Sequence, residues 1–155
     1  MDTTPEYIKM CEKAEALRSV WKPAKGDWFV YAGRVYVIGR GLMEYESDIE
    51  KGKPQADVEI VTGDPAFDDF EGPAILYYDG YDGANSFPLK ECVPLWRQDQ
   101  LQEMLEDVDS IGLAGLLRDY VMQKDARGSL EQIWLKIIMG GEFGKVWTGE
   151  DWIDA

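Results

Sequence analysis

The chain has 155 residues, 45% of them hydrophobic and 12% aromatic, with 30 Asp and Glu set against 16 Lys and Arg and no histidine. That apolar content suffices for a compact domain and excludes wholesale disorder, whereas the net charge of −14 disfavours direct binding to nucleic acid or anionic lipid. The missing histidine removes the usual neutral-pH general base, the Ser-His and Cys-His nucleophile pairs and every zinc site that uses imidazole.

Thr4-Pro5-Glu6 reads as a helix start, with Thr4 as cap, Pro5 at the first helical position and Glu6 near the positive end of the helix dipole. The expected helix runs to about Val20. Tyr7, Met10, Ala14, Leu17 and Trp21 recur at spacings of three and four, one stripe able to cover a sheet, and Trp21-Lys22-Pro23 ends it. Residues 27–39 alternate and are rich in β-branched and aromatic types, which predicts a hairpin turning at Ala32-Gly33. Further strands are expected around Leu42 to Tyr45, Val58 to Val61 and Ala74 to Tyr78, with turns at Lys51–Pro54, Gly63–Pro65 and Asp79–Gly83. With no helix-length crossover between them, these strands predict an antiparallel meander of four to five strands.

Beyond Cys92-Val93-Pro94 the apolar period changes from two to 3.6. Leu101, Met104, Leu105 and Val108 predict one helix; Leu113, Leu116, Leu117, Tyr120 and Val121 predict a second after a break and cap at Asp109-Ser110. A third opens at the S-x-x-Q capping box Ser129 to Gln132, carries Ile133, Trp134, Ile137 and Ile138, and is expected to stop at Gly140-Gly141. The end, with Phe143, Val146, Trp147, Trp152 and Ile153, is too aromatic for a free tail and is expected to pack back on the body. The fold class is therefore α+β: an N-terminal helix, an antiparallel meander and a C-terminal three-helix segment packing on it. Residues 1–155 are read as a single domain, and a subdivision near Pro94 into 1–93 and 94–155 is compatible with that reading.

Cys11 and Cys92 lack CxxC partners, which excludes a thioredoxin-like pair and a four-thiolate metal site and favours two buried thiols in a reducing compartment. No apolar run approaches a membrane span, and the N-terminus lacks a signal-peptide layout, so a cytoplasmic location is expected.

Charge is concentrated in residues 41–72, which hold ten Asp and Glu against two Lys. In an extended strand Glu44, Glu46, Asp48 and Glu50 would project from one face about 7 Å apart. Such a row can hold a divalent cation or meet a partner, but it is more often the solvated face of an edge strand. Asp79, Asp82 and Asn85 invite a calcium reading, yet they lack the ligand series and distal glutamate of an EF-hand loop, and ordinary turn chemistry explains them. No phosphate-cradling glycine motif occurs, and no metal or cofactor is expected. Arg97, Gln98, Asp99, Gln100 and Gln102 form an amide-rich helix start suited either to an interface or to a merely polar exposed turn. An exposed subset of the tryptophans, Trp147 and Trp152 among them, would mark a protein-binding surface, whereas mutual packing is the plainer account.

The strings Pro5–Ala14, Pro94–Met104 and Gly144–Trp152 resemble a group of uncharacterised proteins encoded by phages and prophages of Gram-positive bacteria. These strings hold 30 of the 155 residues, near the two ends and in one internal helix. The group carries no assigned activity, so the resemblance implies a genomic context and transfers no catalytic residue. Three functional classes are left open. The first is a non-enzymatic accessory protein acting on an unknown protein partner through Glu44, Glu46, Asp48, Glu50, Arg97, Gln98, Gln100, Trp147 and Trp152. The second is an acidic DNA mimic that blocks a host DNA-binding protein, and the third a carboxylate-based metal-dependent enzyme.

Overall fold

The computed structural model describes residues 1–38, 59–61, 74–78, 84–105, 108–123 and 127–155. It is a mixture of helices and antiparallel strands in two compact units, one made of Met1–Val20 with Leu95–Ala155 and the other of Trp21–Pro94. The first twenty residues thus cluster with the C-terminal helices, where a cut at Pro94 in sequence leaves them with the strands.

In the helical unit, α1 (Pro5–Lys13) begins as its sequence dictates: the Thr4 hydroxyl accepts from Tyr7 N–H at 3.3 Å, and Pro5 occupies the first turn, where no N–H is needed. The expected continuous helix to Val20 is interrupted at Ala14 (φ −80°, ψ 61°), and α2 (Glu15–Val20) restarts after it. Tyr7, Met10, Ala14 and Leu17 are buried, as a stripe of that spacing should be. Their helix packs on a helix, since α1 meets α5, while Trp21 belongs to the other unit.

The first C-terminal helix, α3 (Gln98–Glu103), ends before Leu105 and Val108, a turn shorter than its apolar spacing predicts. In α4 (Ser110–Gln123) the Asp109 carboxylate accepts from Gly112 N–H at 2.8 Å and supplies the expected cap. The longest apolar face belongs to α5 (Leu130–Phe143), which buries Ile133, Trp134, Leu135, Ile138 and Met139 and packs against α1, α3 and α4. Ser129 caps it by accepting from Gln132 N–H at 3.1 Å. Gly140-Gly141 does not stop it. An interior glycine costs a helix about 1 kcal/mol, which this buried face offsets. The stop falls at Gly144, whose left-handed φ of 61° lets its N–H reach the Met139 carbonyl. The tail then forms a hairpin, β7 (Lys145–Trp147) paired with β8 (Trp152–Asp154); the Trp152 indole N–H donates to the Met10 carbonyl at 3.0 Å and holds it against α1.

The strand unit opens with the expected hairpin, β1 (Trp28–Tyr31) and β2 (Arg34–Val37), whose register pairs Phe29 with Tyr36. Ala32 and Gly33 both take positive φ (47° and 76°), the turn whose twist matches the flanking strands. β6 (Val93–Leu95) pairs on the other side of β1, giving the order β2-β1-β6. A second antiparallel group, β3-β4-β5, joins Glu59–Val61, Ala74–Tyr78 and Ala84–Pro88. The described strands of this unit therefore fall into two three-stranded groups, where the sequence predicts one meander; β5 and β6 lack the alternating pattern that reveals a strand. Phe29, Ile38, Ile75, Phe87 and Cys92 form the core, with Tyr31 and Tyr36 packed against Phe87 at ring-centre distances of 4.9 Å. The Asp27 carboxylate accepts from Ala24 N–H at 2.9 Å and the Trp21 indole at 3.1 Å, which ties the entry loop to this core.

Candidate functional site

Concavities open on the helical unit among its described residues. One, of about 540 Å³, lies between α4, α5 and β7. Leu116, Tyr120, Ile137, Val146 and Trp147 give it an apolar lining, and Gly140 and Gly141 leave the α5 backbone bare along one wall. A Cβ added at Gly141 would meet nothing within 4 Å.

Polar groups sit at the edge of this groove. Lys136 donates to the Arg127 carbonyl at 3.2 Å, and Lys145 is bonded to Asp154 at 2.6 Å across the β7–β8 hairpin. The Lys145 ammonium, by hydrogen bond and then by charge, holds the Asp154 carboxyl below its ordinary range. Burial pushes the Tyr120 phenol up, so it stays a neutral donor at physiological pH. The Trp147 ring lies tilted at 54° to Trp152, 5.1 Å away, and its buried indole N–H has no hydrogen-bond partner among the described residues. An apolar floor, bare helix backbone and a few peripheral donors suit the capture of apolar or aromatic side chains.

The second concavity, about 560 Å³, lies where the N-termini of α1 and α5 converge. The chain's own Asp2 carboxylate forms part of its lining. Asp2, 8% exposed, accepts from Thr4 N–H at 2.8 Å, Ser129 Oγ at 2.6 Å and Gln132 Nε2 at 2.9 Å. Gln132 also donates to the Thr4 hydroxyl at 3.2 Å, so its side chain does not close the expected capping box. Burial raises the Asp2 pKa, but the hydrogen bonds from Ser129, Thr4 and Gln132 outweigh burial and leave it below the usual carboxylate range. One side chain thereby ties the cap residue of α1, Thr4, to the cap residue of α5, Ser129, and to Gln132 in the first turn of α5.

The interaction residues expected from sequence are dispersed. Trp147 lines the groove, whereas Trp152 is only 8% exposed and serves as an anchor. Gln100 accepts from Arg97 N–H at 2.9 Å and Arg97 bonds Asp99 at 3.0 Å, so Arg97 and Gln100 hold the start of α3 in shape; Gln98, the first residue of that helix, is half-buried. The Arg97 hydrogen bond lowers the Asp99 pKa. Glu44, Glu46, Asp48 and Glu50, the calcium reading's Asp79 and Asp82, and the strand expected at Leu42 to Tyr45 all lie outside the described residues.

Cys11 and Cys92 are both buried and are not joined in a disulfide. Burial above all pushes the Cys11 thiol up to about 12, against hydrogen bonds that lower it, which leaves it a poor nucleophile. The adjacent Tyr7 hydroxyl, raised by burial and then by Cys11, donates to the Trp96 carbonyl. Among the described residues no cluster of three or more Cys, Asp or Glu is placed to hold a metal ion, and no helix is long and apolar enough to cross a membrane. Lys136, Gly140 and Gly141, all on α5, and Tyr120, on α4, escape sequence reading as site residues because only the packing of α4 on α5 sets Tyr120 beside the other three. The double glycine was the available signal, and it reads more naturally as a helix stop. No family model, no curated protein and no solved structure matches the chain.

Proposed function

We propose that the protein is a non-enzymatic binding module, a phage or prophage accessory protein that takes a partner protein into the α4–α5–β7 groove. The observation that carries this reading is α4. Fourteen residues long and rich in Leu, Ile, Val and Met, it has no fully buried residue among those whose side chains are described, 110–122. A helix of that composition ordinarily spends its apolar face on the core, and large apolar residues left at a surface mark interaction sites. Leu116 and Val146, 39% and 44% exposed, stand at the groove and offer its accessible apolar surface.

The test is pull-down from a bacterial lysate with the wild-type protein, Leu116→Asp and Val146→Asp, each with and without excess duplex DNA. Loss of the same captured protein in both variants, with the melting temperature unchanged, supports the groove. Capture that both variants retain and duplex DNA abolishes replaces this reading with DNA mimicry by the acidic residues 41–72.

A further inference from the structure

The groove between α4, α5 and β7 has a charge balance unlike that of the chain. Asp119, Lys136 and Lys145 are the ionised side chains among its described lining residues. Asp119 and Lys145 have partners of their own, Arg118 at 2.7 Å and Asp154 at 2.6 Å. Lys136 has no carboxylate partner among the described residues. Its ammonium spends one of three protons on the Arg127 carbonyl at 3.2 Å and has no protein acceptor for the other two. The groove is therefore left with one uncompensated positive charge on a protein of net charge −14. Tyr120, on the facing helix, makes no hydrogen bond among the described residues, and burial keeps its phenol protonated. The unspent polar groups of the lining are thus proton donors, while its one carboxylate, Asp119, is already paired.

We propose that the partner segment taken by the groove is an apolar one carrying a single carboxylate, an Asp or Glu set among Phe or Leu, with that carboxylate on Lys136. This deepens the groove reading and rests on it. Leu116, Ile137 and Val146 share the lining with the donors, and the bare backbone at Gly141, where a Cβ would meet nothing within 4 Å, leaves room for a bulky apolar side chain. A hydrogen bond between an ammonium and a carboxylate is about twice as strong as a neutral one, and beside apolar side chains it is screened less than in open water.

The net charge of the chain limits this occupant from two sides. An acidic protein draws basic segments at long range, but a Lys or Arg seated in the groove meets the like charge of Lys136 and finds no unpaired carboxylate in the described lining. A run of carboxylates fails for the opposite reason. At a Debye length of about 8 Å in physiological salt the contact with Lys136 is local, whereas each further carboxylate adds repulsion from an acidic surface without a second cation to meet it, Lys145 being held by Asp154. One carboxylate among apolar residues satisfies both limits.

The test uses three blocked heptapeptides, Gly-Phe-Leu on one side and Leu-Phe-Gly on the other of a central Asp, Asn or Lys. Each is titrated to about 2 mM into the full isotope-labelled chain and followed by NMR at the Gly140 and Gly141 amides and the Trp147 indole N–H, all in the groove lining. The Asp peptide is expected to bind about fivefold or more tighter than the Asn peptide, with the Lys peptide weakest. Lys136→Met, which keeps an aliphatic stem and drops the charge, should bring the Asp peptide to the Asn value and leave the Asn value unchanged, whereas Lys136→Arg should keep the preference. Circular dichroism checks folding, and Lys136→Gln replaces the methionine variant should that one fail to fold. Equal binding of the Asp and Asn peptides, tighter binding of the Lys peptide, or an Asp preference that survives loss of the Lys136 charge overturns the proposal. If Leu116→Asp abolishes that binding, the groove reading stands and only its carboxylate falls. Binding of no peptide, or binding that Leu116→Asp leaves intact, overturns both.

Discussion

Replacing Asp2 by alanine removes one carboxylate that holds three donors on two helices, Thr4 N–H, Ser129 Oγ and Gln132 Nε2. Thr4 is exposed and Ser129 half-buried, so their donors regain water in the variant, whereas Gln132 is only 5% exposed and keeps just the 3.2 Å bond to the Thr4 hydroxyl. Hydrogen bonds to a charged acceptor contribute about 1.5–3 kcal/mol each, and with two of three donors resolvated the net loss is about 2–3 kcal/mol. In a chain of this size that lowers the melting temperature by roughly 4–12 °C. The pH dependence adds a second signature. Because the folded pKa is below the ordinary aspartate value of 3.8, the charge contribution is fully present above that pH and is lost as pH falls through the folded pKa. Urea unfolding at neutral pH and thermal melts in the acid range measure both effects, with Glu142→Ala, at an exposed position, as the control. A difference at neutral pH no larger than the control's, or one that does not shrink in acid, refutes the shared-cap reasoning.

Two glycines three residues apart should respond with opposite sign. Gly141→Ala, helical and with open space at its Cβ, should stabilise by about 0.5–1 kcal/mol, whereas Gly144→Ala, at φ 61°, should destabilise by about 1 kcal/mol in the same denaturation assay. Gly128→Ala places a Cβ against the Gln132 amide at a φ of 120°, so it should destabilise and, in a double-mutant cycle with Asp2→Ala, show strong coupling. Trp152→Phe keeps the ring but loses the bond to the Met10 carbonyl, which should cost about 1 kcal/mol by urea unfolding. Cys11, buried and with its thiol pushed up to about 12, should react with a thiol reagent only as fast as the protein unfolds, and modification of the native protein at the free-thiol rate would contradict its burial.

Local signals were legible where the physics is local. Thr4-Pro5, Asp109 and Ser129 cap their helices within three residues of themselves, and Ala32-Gly33 closes its hairpin with two positive φ angles. Trp147 was visible as a candidate because aromatic content near a chain end is unusual, although the structure separates its role from that of Trp152. The amide string around Arg97 was equally visible, and its hydrogen bonds turn out to be spent largely on the start of α3.

What sequence by itself determined is therefore the class of each stretch: helices where apolar residues recur at 3.6, the β1–β2 hairpin where they alternate, and caps where a short polar side chain precedes a helix. What only the tertiary structure decided is every assignment that joins distant residues. Asp2 answers to Ser129 and Gln132, the first twenty residues cluster with the last sixty, and Gly140-Gly141 becomes a wall instead of a stop. The physical reason is that periodicity shows which face of an element is apolar but not which other element covers it. That choice is made by packing among helices far apart in the chain, and it leaves the described apolar residues of α4 incompletely covered.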